Sequence, residues 1–365
     1  MTTNLHKAAR RASNPIAGVK PAPSRLRRAS VAAIILLATV GLLASIIAAS
    51  LFGSANISPL DVVSTILRHI GLGEIAPNPP LPRLLDALIW ESRFPRVLLS
   101  ALVGAALAVS GAVLQAITRN PLADPYLLGV SSGASTGAVA VILLGIGGGI
   151  SLSTGAFIGG LLAFGLLLLL LGGGRIASPT RVVLTGVLVS QFFAAVTSLI
   201  LMISGDANST RGFTYWLLGT LAGARWDGVN FTAVIILAGV VAILFFASSL
   251  DAFTFGWDSA TALGVNVTAV RIWLMVLTSL ITAAAVAASG AIGFVGLLVP
   301  HAVRILVSPM HRTLLPLSAV VGAILLIWVD TFARTAFTPH ELPAGVITAL
   351  LGAPAFALVL KRLES

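Results

Sequence analysis

Few side chains in this 365-residue sequence can do chemistry, and their spacing limits what that chemistry is. There is no cysteine, so disulfides, thiol catalysis and Cys-based metal sites are excluded. The histidines, His6, His69, His301, His311 and His340, include no pair at i,i+4, which argues against a helical metal centre. A phosphate-binding loop needs G-x-x-x-x-G-K-[ST], in which backbone amides cradle phosphates and the lysine reaches the terminal ones. Lys7, Lys20 and Lys361, the only lysines, all lie outside such a setting. If the chain's work takes energy from ATP, another polypeptide must hydrolyse it.

What remains is a set of polar residues and prolines embedded in apolar sequence. In NPLADPYLLG (Asn120–Gly129), Asn120 can cap a turn, Pro121 and Pro125 break helix geometry, and Gly129 lets the chain enter the next helix. The stretch is expected to be a rigid corner at a membrane surface. In GFVGLLVPHAVRIL (Gly293–Leu306), Pro300 frees a backbone carbonyl that lipid cannot satisfy, and His301 and Arg304 follow about one turn apart. Arg304 is expected to reach the headgroups, and His301 to bond neighbouring backbone or a ligand. In ELPAGVITALLGAPAFALVLKR (Glu341–Arg362), an acid and a proline open a helix, and Gly352-Ala353-Pro354 mark a kink or close approach at its middle.

The elements that must position these residues follow from composition. Hydrophobic residues make up 57% of the chain and charged ones 9%, with a mean hydropathy of +1.04. Soluble domains carry about 25% charged residues, so most of this chain is solvated by lipid. Long Leu/Ala/Gly-rich runs exclude a membrane barrel. The fold expected is all-α and polytopic, with ten apolar runs at about 31–53, 97–118, 127–146, 153–172, 181–204, 229–248, 270–289, 294–307, 314–333 and 343–361. Residues 31–365 then form one ten-helix membrane domain. Residues 1–30 hold seven basic residues and no acid, and are expected to be a disordered basic arm that holds the amino end in the cytoplasm and touches anionic lipid. A nucleic-acid partner is not expected.

Lys361 and Arg362 place the carboxyl end inside as well, which an even number of spans satisfies. The internal loops show no clean bias. Arg68, Arg83, Arg93, Arg96, Arg211, Arg225 and Arg334 fall on the outer side, and an arginine-rich outer face needs a reason. Apart from His301 in the short run 294–307, no span carries Asp, Glu, Lys or His near its centre. Gln115, Ser190 and Gln191 are the strongly polar residues inside, with Asp330 near one end. Ion-coupled transport therefore lacks its usual intramembrane carriers.

ESRFPR (Glu91–Arg96), GAALAVSGAVLQ (Gly104–Gln115), NPLADPYLLGVSSGA (Asn120–Ala134), GAIGFVGLLVPHAVR (Gly290–Arg304) and ELPAGVITALLGAPAFALVL (Glu341–Leu360) together resemble the permease subunits of bacterial ABC importers for iron complexes, haem and vitamin B12, the FecCD-type permeases. The resemblance runs from about residue 31 to the end. It implies a homodimer of ten-span subunits of type II importer architecture in the bacterial inner membrane, with both termini cytoplasmic. Two cytoplasmic ATPase subunits would hold the ATP and magnesium, and an external binding protein would deliver the cargo; this chain would bind no cofactor and be no enzyme. It further implies binding-protein docking at Arg93, Arg96 and Arg334, a cytoplasmic gate at Asn120, Leu122 and Ser178, and ATPase coupling through Ala262, Leu263 and Gly264 in DAFTFGWDSATALGVNV (Asp251–Val267). Pro179 departs from the gate pattern, where a hydroxyl residue can occur. Ser190, Gln191 and Gly352 are expected to line part of the pathway, with Tyr126 or Trp216 available to stack on a macrocycle or to anchor at the interface. The cargo expected is haem or a ferric siderophore, with cobalamin as the alternative. An ion-coupled secondary transporter and a non-transporting membrane anchor for an ATPase are the rival classes.

Overall fold

The computed structural model describes residues 24–53, 55, 57–145, 151–172, 178–204, 207–307, 309–337 and 339–364. Most of the expected basic arm lies outside the described residues; the first helix begins at Ser24. The chain divides into two units, Met1–Leu37 and Ala38–Ser365, and all that follows concerns the second.

Among the described residues there is no strand. The helices, in order, are α1 (Ser24–Leu51), α2 (Pro59–His69), α3 (Arg83–Thr118), α4 (Val130–Leu144), α5 (Leu152–Leu171), α6 (Pro179–Ser204), α7 (Ala207–Leu217), α8 (Trp226–Phe245), α9 (Ala247–Phe253), α10 (Trp257–Ala262), α11 (Val267–Ser289), α12 (Val295–Leu306), α13 (His311–Thr335) and α14 (Ala344–Glu364). Seven are long and apolar enough to cross a membrane, and α4, α12 and α14 are shorter apolar helices. The ten apolar runs of the sequence each fall on one of these ten helices.

Helix α3 is the centre of the bundle. It packs on α13, α11 and α12, and 78% of its most apolar window is buried. Glycines make this possible: a Cβ at Gly104 would collide with the Gly322 carbonyl on α13, and one at Gly111 with the Gly296 carbonyl on α12. The same device joins α4 to α5, where Gly133 and Gly137 face Gly155 and Gly159. Between lipid-solvated helices burial of apolar surface gives no net drive, so close backbone approach and the dispersion contacts it brings must hold them together.

The second span starts earlier than its apolar run. Helix α3 has 36 residues, about 54 Å at 1.5 Å per residue, against a hydrocarbon thickness of about 30 Å. Its first turns, with Arg83, Asp86, Glu91, Arg93 and Arg96, therefore project beyond the apolar layer. A π-helical stretch at Leu88–Arg93 widens the helix there and turns Arg93 inward. Helix α2 stands against this projection. Ser58 and Asp61 form its capping box, and hydrogen bonds from Ser58 and Asn78 hold the Asp61 carboxyl below its ordinary range. His69 stacks on Trp90 at 4.2 Å, and the Trp226 indole N–H donates to the Trp90 carbonyl at 2.8 Å.

Candidate functional site

The corner after α3 is built residue by residue. Arg119 ends the helix in the left-handed region (φ 52°), and the Asn120 amide returns to the Gln115 carbonyl at 3.1 Å. Asn120 Oδ1 accepts from the Leu122 amide at 2.9 Å, a side-chain turn that holds the half-buried Asn120 beside the exposed Leu122. Asp124 caps the 3₁₀ turn Pro125–Leu128 by accepting from the Tyr126 amide at 2.9 Å. This carboxyl keeps some surface, yet burial by the surrounding structure pushes it up to about 6, against the pull of the Tyr126 N–H. The second half of the stretch does not lie at a surface, as the sequence had implied. Leu128 and Gly129 are buried, a Cβ at Gly186 of α6 would collide with the Leu127 carbonyl, and Val189 packs over Gly129.

What anchors the corner is a break between α11 and α12. Helix α12 has 12 residues, about 18 Å, too short to cross alone. The turn Gly290–Phe294 must then sit within the membrane's depth, where every backbone polar group needs a protein partner. Tyr126 meets this need at Ile292: its hydroxyl donates to the Ile292 carbonyl at 2.9 Å and accepts from the Ile292 amide at 2.8 Å. A phenol hydroxyl both donates and accepts, so this one side chain serves both groups. The Ser289 carbonyl accepts from the Thr220 amide at 2.7 Å, and the Gly345 amide donates to Gly219 at 3.1 Å, binding the loops before α8 and α14 to the same place.

Pro300 behaves as its chemistry requires. It offers no N–H to Gly296, one turn back, and Gln115 Nε2 donates to that freed carbonyl at 3.2 Å. Arg304 has a partner inside the bundle as well: its guanidinium donates to Gln115 Oε1 at 3.2 Å, while the side chain also lines a cleft that opens on this face. His301 is half-buried beside it. Gln115 thus joins α3 to both ends of α12, and its signal in the sequence was a lone polar side chain one turn before the corner.

The arginine-rich face proves to be turned inward. Arg93, 4% exposed, donates to the Ser50 and Leu51 carbonyls at 3.0 Å, and Arg334 donates to the Ala49 carbonyl, so both cap the open end of α1. Arg96 grips Asp330 through Nε and Nη2 at 2.9–3.2 Å and Glu341 through Nη1 at 2.9 Å. All three arginines expected to dock a binding protein thus also meet a demand inside the chain: three helix-end carbonyls and a buried acid, 2% exposed, need donors. Arg225 is exposed on this face, beside a polar cleft of about 490 Å³ lined also by Glu91, Ser92, Arg96, Trp226 and Asp227.

On the opposite face, where α3 ends, α9 and α10 form a small knob. Gly256 (φ 102°) and Gly264 (φ 85°) make its turns, and Ala262, Leu263 and Gly264 are exposed, Leu263 by 71%. Its base is fixed: the buried Arg271 of α11 lies 4.4 Å over the Trp257 ring, and Asp251 accepts from His311. A cation–π contact of this kind contributes about 0.5–2 kcal/mol.

Ser178 caps α6 by accepting from the Arg181 amide at 3.2 Å, and Pro179 follows at the first helical position, which explains its departure from the gate pattern. About two turns beyond Ser178 along the same helix, Gly186 packs on the Leu127 carbonyl, in the second half of the stretch that begins at Asn120. Helix α6 buries only 17% of its most apolar window; its open side carries Leu184, Leu188, Gln191, Phe192 and Leu199, with Ser190 half-buried. Lipid cannot satisfy the Gln191 amide. Gly352 is buried under Phe294, a close approach and not an open wall, and Trp216 packs against Phe213 in the core cluster that Tyr126 flanks. Neither aromatic is free to stack on a cargo.

Residues 41–362 match the FecCD transport family. Similar proteins include the cobalamin import system permease protein BtuC of Halobacterium salinarum, 44% identical over 78% of this chain and 76% of that protein. The hemin transport system permease protein HmuU of Yersinia pestis is 40% identical, over 76% of this chain and 84% of its own. The Fe(3+) dicitrate transport system permease protein FecD of Escherichia coli is also 40% identical, over 76% and 86%. Among solved structures, an ABC transporter described as metal-chelate type, in an inward-facing conformation, superimposes with a TM-score of 0.78 at 31% identity, covering 90% of this chain and 99% of that one.

Proposed function

This chain belongs to the FecCD transport family, and on that premise we propose that two copies of it enclose the pathway by which an ATP-driven importer passes a bulky iron chelate, haem or a ferric siderophore. It is a multi-pass membrane subunit that makes and breaks no bond. Its partners in this proposal are two cytoplasmic ATPase subunits, which hold the ATP and magnesium, and an external binding protein that delivers the cargo.

One observation carries the reading: a continuous rigid line joins the exposed knob to the corner. Leu263 directly follows α10, Trp257 braces α10 on Arg271 of α11, α11 ends at the Gly290–Phe294 turn, and Tyr126 fastens that turn to the corner holding Asn120 and Leu122. An ATPase gripping Ala262, Leu263 and Gly264 would move Asn120, Leu122 and Ser178, the gate, without slack between them. The bared side of α6 supports the dimer and the pathway, since Gln191 needs either a second protein surface or water.

The knob and the basic arm then lie in the cytoplasm of the bacterial inner membrane, with both termini. The binding protein docks at the other end of α3; with Arg93 turned inward, Arg225 and the exposed edge of the Arg96–Glu341 pair supply the charge, with Arg334 as support behind them. Such pairs set orientation and encounter rate more than affinity. A second reading for the cargo, cobalamin, is favoured by the 44% identity to the Halobacterium salinarum protein.

The test is uptake into proteoliposomes holding the chain with its ATPase subunits. Transport that stops with vanadate and survives an uncoupler supports the proposal; uphill uptake by the chain alone on an ion gradient ends it. Stimulation of ATPase activity by binding proteins loaded with haem, ferric siderophore or cobalamin identifies the cargo.

A further inference from the structure

A second cleft, of about 250 Å³, opens on the knob face and is lined by Gln115, Arg119, Pro121, Phe253, Arg304 and His311. His311 is 3% exposed, and both its backbone N–H and its ring Nδ1 lie against Asp251 Oδ1, at 2.7 and 2.8 Å. A carboxylate only accepts, so the ring proton sits on Nδ1 and Nε2 presents a lone pair. That Nε2 is buried and without a hydrogen-bond partner, an arrangement that asks for a donor from outside the chain. Asp251, the acid beside it, is committed to His311. The ring also stands at the first position of the 25-residue α13, whose amino end adds positive potential to that of Arg119 and Arg304.

The surroundings say where the donor comes from. Ile305 and Leu306, directly after Arg304, and Met310, directly before His311, are 70%, 79% and 60% exposed. The cleft therefore opens where apolar side chains are bare and where α3 and α12 end and α13 begins, at the level of lipid headgroups.

We propose that this cleft holds the headgroup of an anionic phospholipid that also carries hydroxyls, with the phosphate between Arg119 and Arg304 and a hydroxyl donating to His311 Nε2. The inference rests on this face meeting a membrane surface and is independent of the cargo and of the ATPase. A soluble polyol phosphate offers the same polar groups, and only the acyl chains distinguish the two.

The test is native mass spectrometry of the full-length, delipidated chain titrated with dioleoyl lipids. Phosphatidylglycerol should be held about tenfold more tightly than phosphatidylcholine, and more tightly than phosphatidylmethanol, which is anionic but lacks headgroup hydroxyls. Arg119→Gln, at an exposed position, should weaken phosphatidylglycerol about fivefold, the weight of one basic side chain at an anionic surface, while Arg312→Gln should leave it unchanged. Equal retention of phosphatidylglycerol and phosphatidylcholine, or equal loss in both variants, overturns the site. Equal retention of phosphatidylmethanol overturns the role of Nε2. Displacement by equimolar glycerol 3-phosphate assigns the cleft to a soluble ligand instead. Loss of ATPase assembly in Arg119→Gln with phosphatidylglycerol retention unchanged assigns it to a protein partner and also overturns the proposal.

Discussion

The two ends of α3 are fastened by opposite chemistry. At Arg96 the helix is held by full charges, a bidentate grip on buried Asp330 and a third bond to Glu341. At Gln115, nineteen residues and about 28 Å further on, it is held by an amide that bonds a proline-freed carbonyl and an arginine, next to a corner stapled by one phenol. Buried charges tolerate little displacement, because separation leaves each desolvated and alone. Neutral hydrogen bonds exchange partners at far smaller cost. The first end is thus a fixed post, and the second is the place where the bundle can move.

Breaking the post should have the largest effect. Asp330→Ala leaves Arg96 without its buried partner and should cost about 3–5 kcal/mol, seen as a drop in thermal unfolding temperature and folded yield in detergent. Replacing both partners with leucine should recover much of that loss, whereas an unchanged Asp330→Ala protein would show that Glu341 alone holds the helix.

At the other end the effect is smaller and local. Tyr126→Phe removes the donor and the acceptor that serve Ile292, and should cost about 1–3 kcal/mol. Hydrogen exchange at Ile292 should quicken while exchange around Arg96 stays as it was; equal quickening at both places would contradict the division into post and moving end. In transport, the same variant should hydrolyse more ATP per cargo molecule moved.

The smallest effect has the opposite sign. The Asp124 carboxyl is raised to about 6 from an ordinary value near 4, so the folded chain binds that proton more tightly than the unfolded one. Stability from this group is complete below pH ~4 and declines as pH rises through ~6. Asp124→Asn keeps the oxygen that caps Tyr126 and removes the charge, so at pH 7 it should stabilise by about 1 kcal/mol and at pH 4 by nothing. Thermal unfolding from pH 4 to 7.5 reads the difference directly; a parallel shift at every pH would assign the effect elsewhere.

Much of this was legible in the sequence. Ten apolar runs gave ten helices, and Pro300 announced a carbonyl in need of a donor. The donor itself was not legible, because Gln115 meets Gly296 across 181 residues and Arg96 meets Asp330 across 234. Charges misled at both ends: those in residues 83–96 interrupt the apolar run without interrupting the helix, and Arg93 and Arg304 look like surface residues until their carbonyl and amide partners are seen. The knob was the reverse case, since Ala262, Leu263 and Gly264 lie on a local turn whose exposure depends on few distant contacts.

The knob's bare side chains also set an order of events in the cell. Phe255 and Leu263 stand 74% and 71% exposed to water on a segment outside the spans. A newly inserted copy that has met no companion carries a greasy handle on its aqueous side, which quality-control proteases and chaperones are built to seize. On the proposed docking of an ATPase subunit over this handle, assembly would act as the chain's passport, and limited proteolysis within 254–264 should slow once that companion is present.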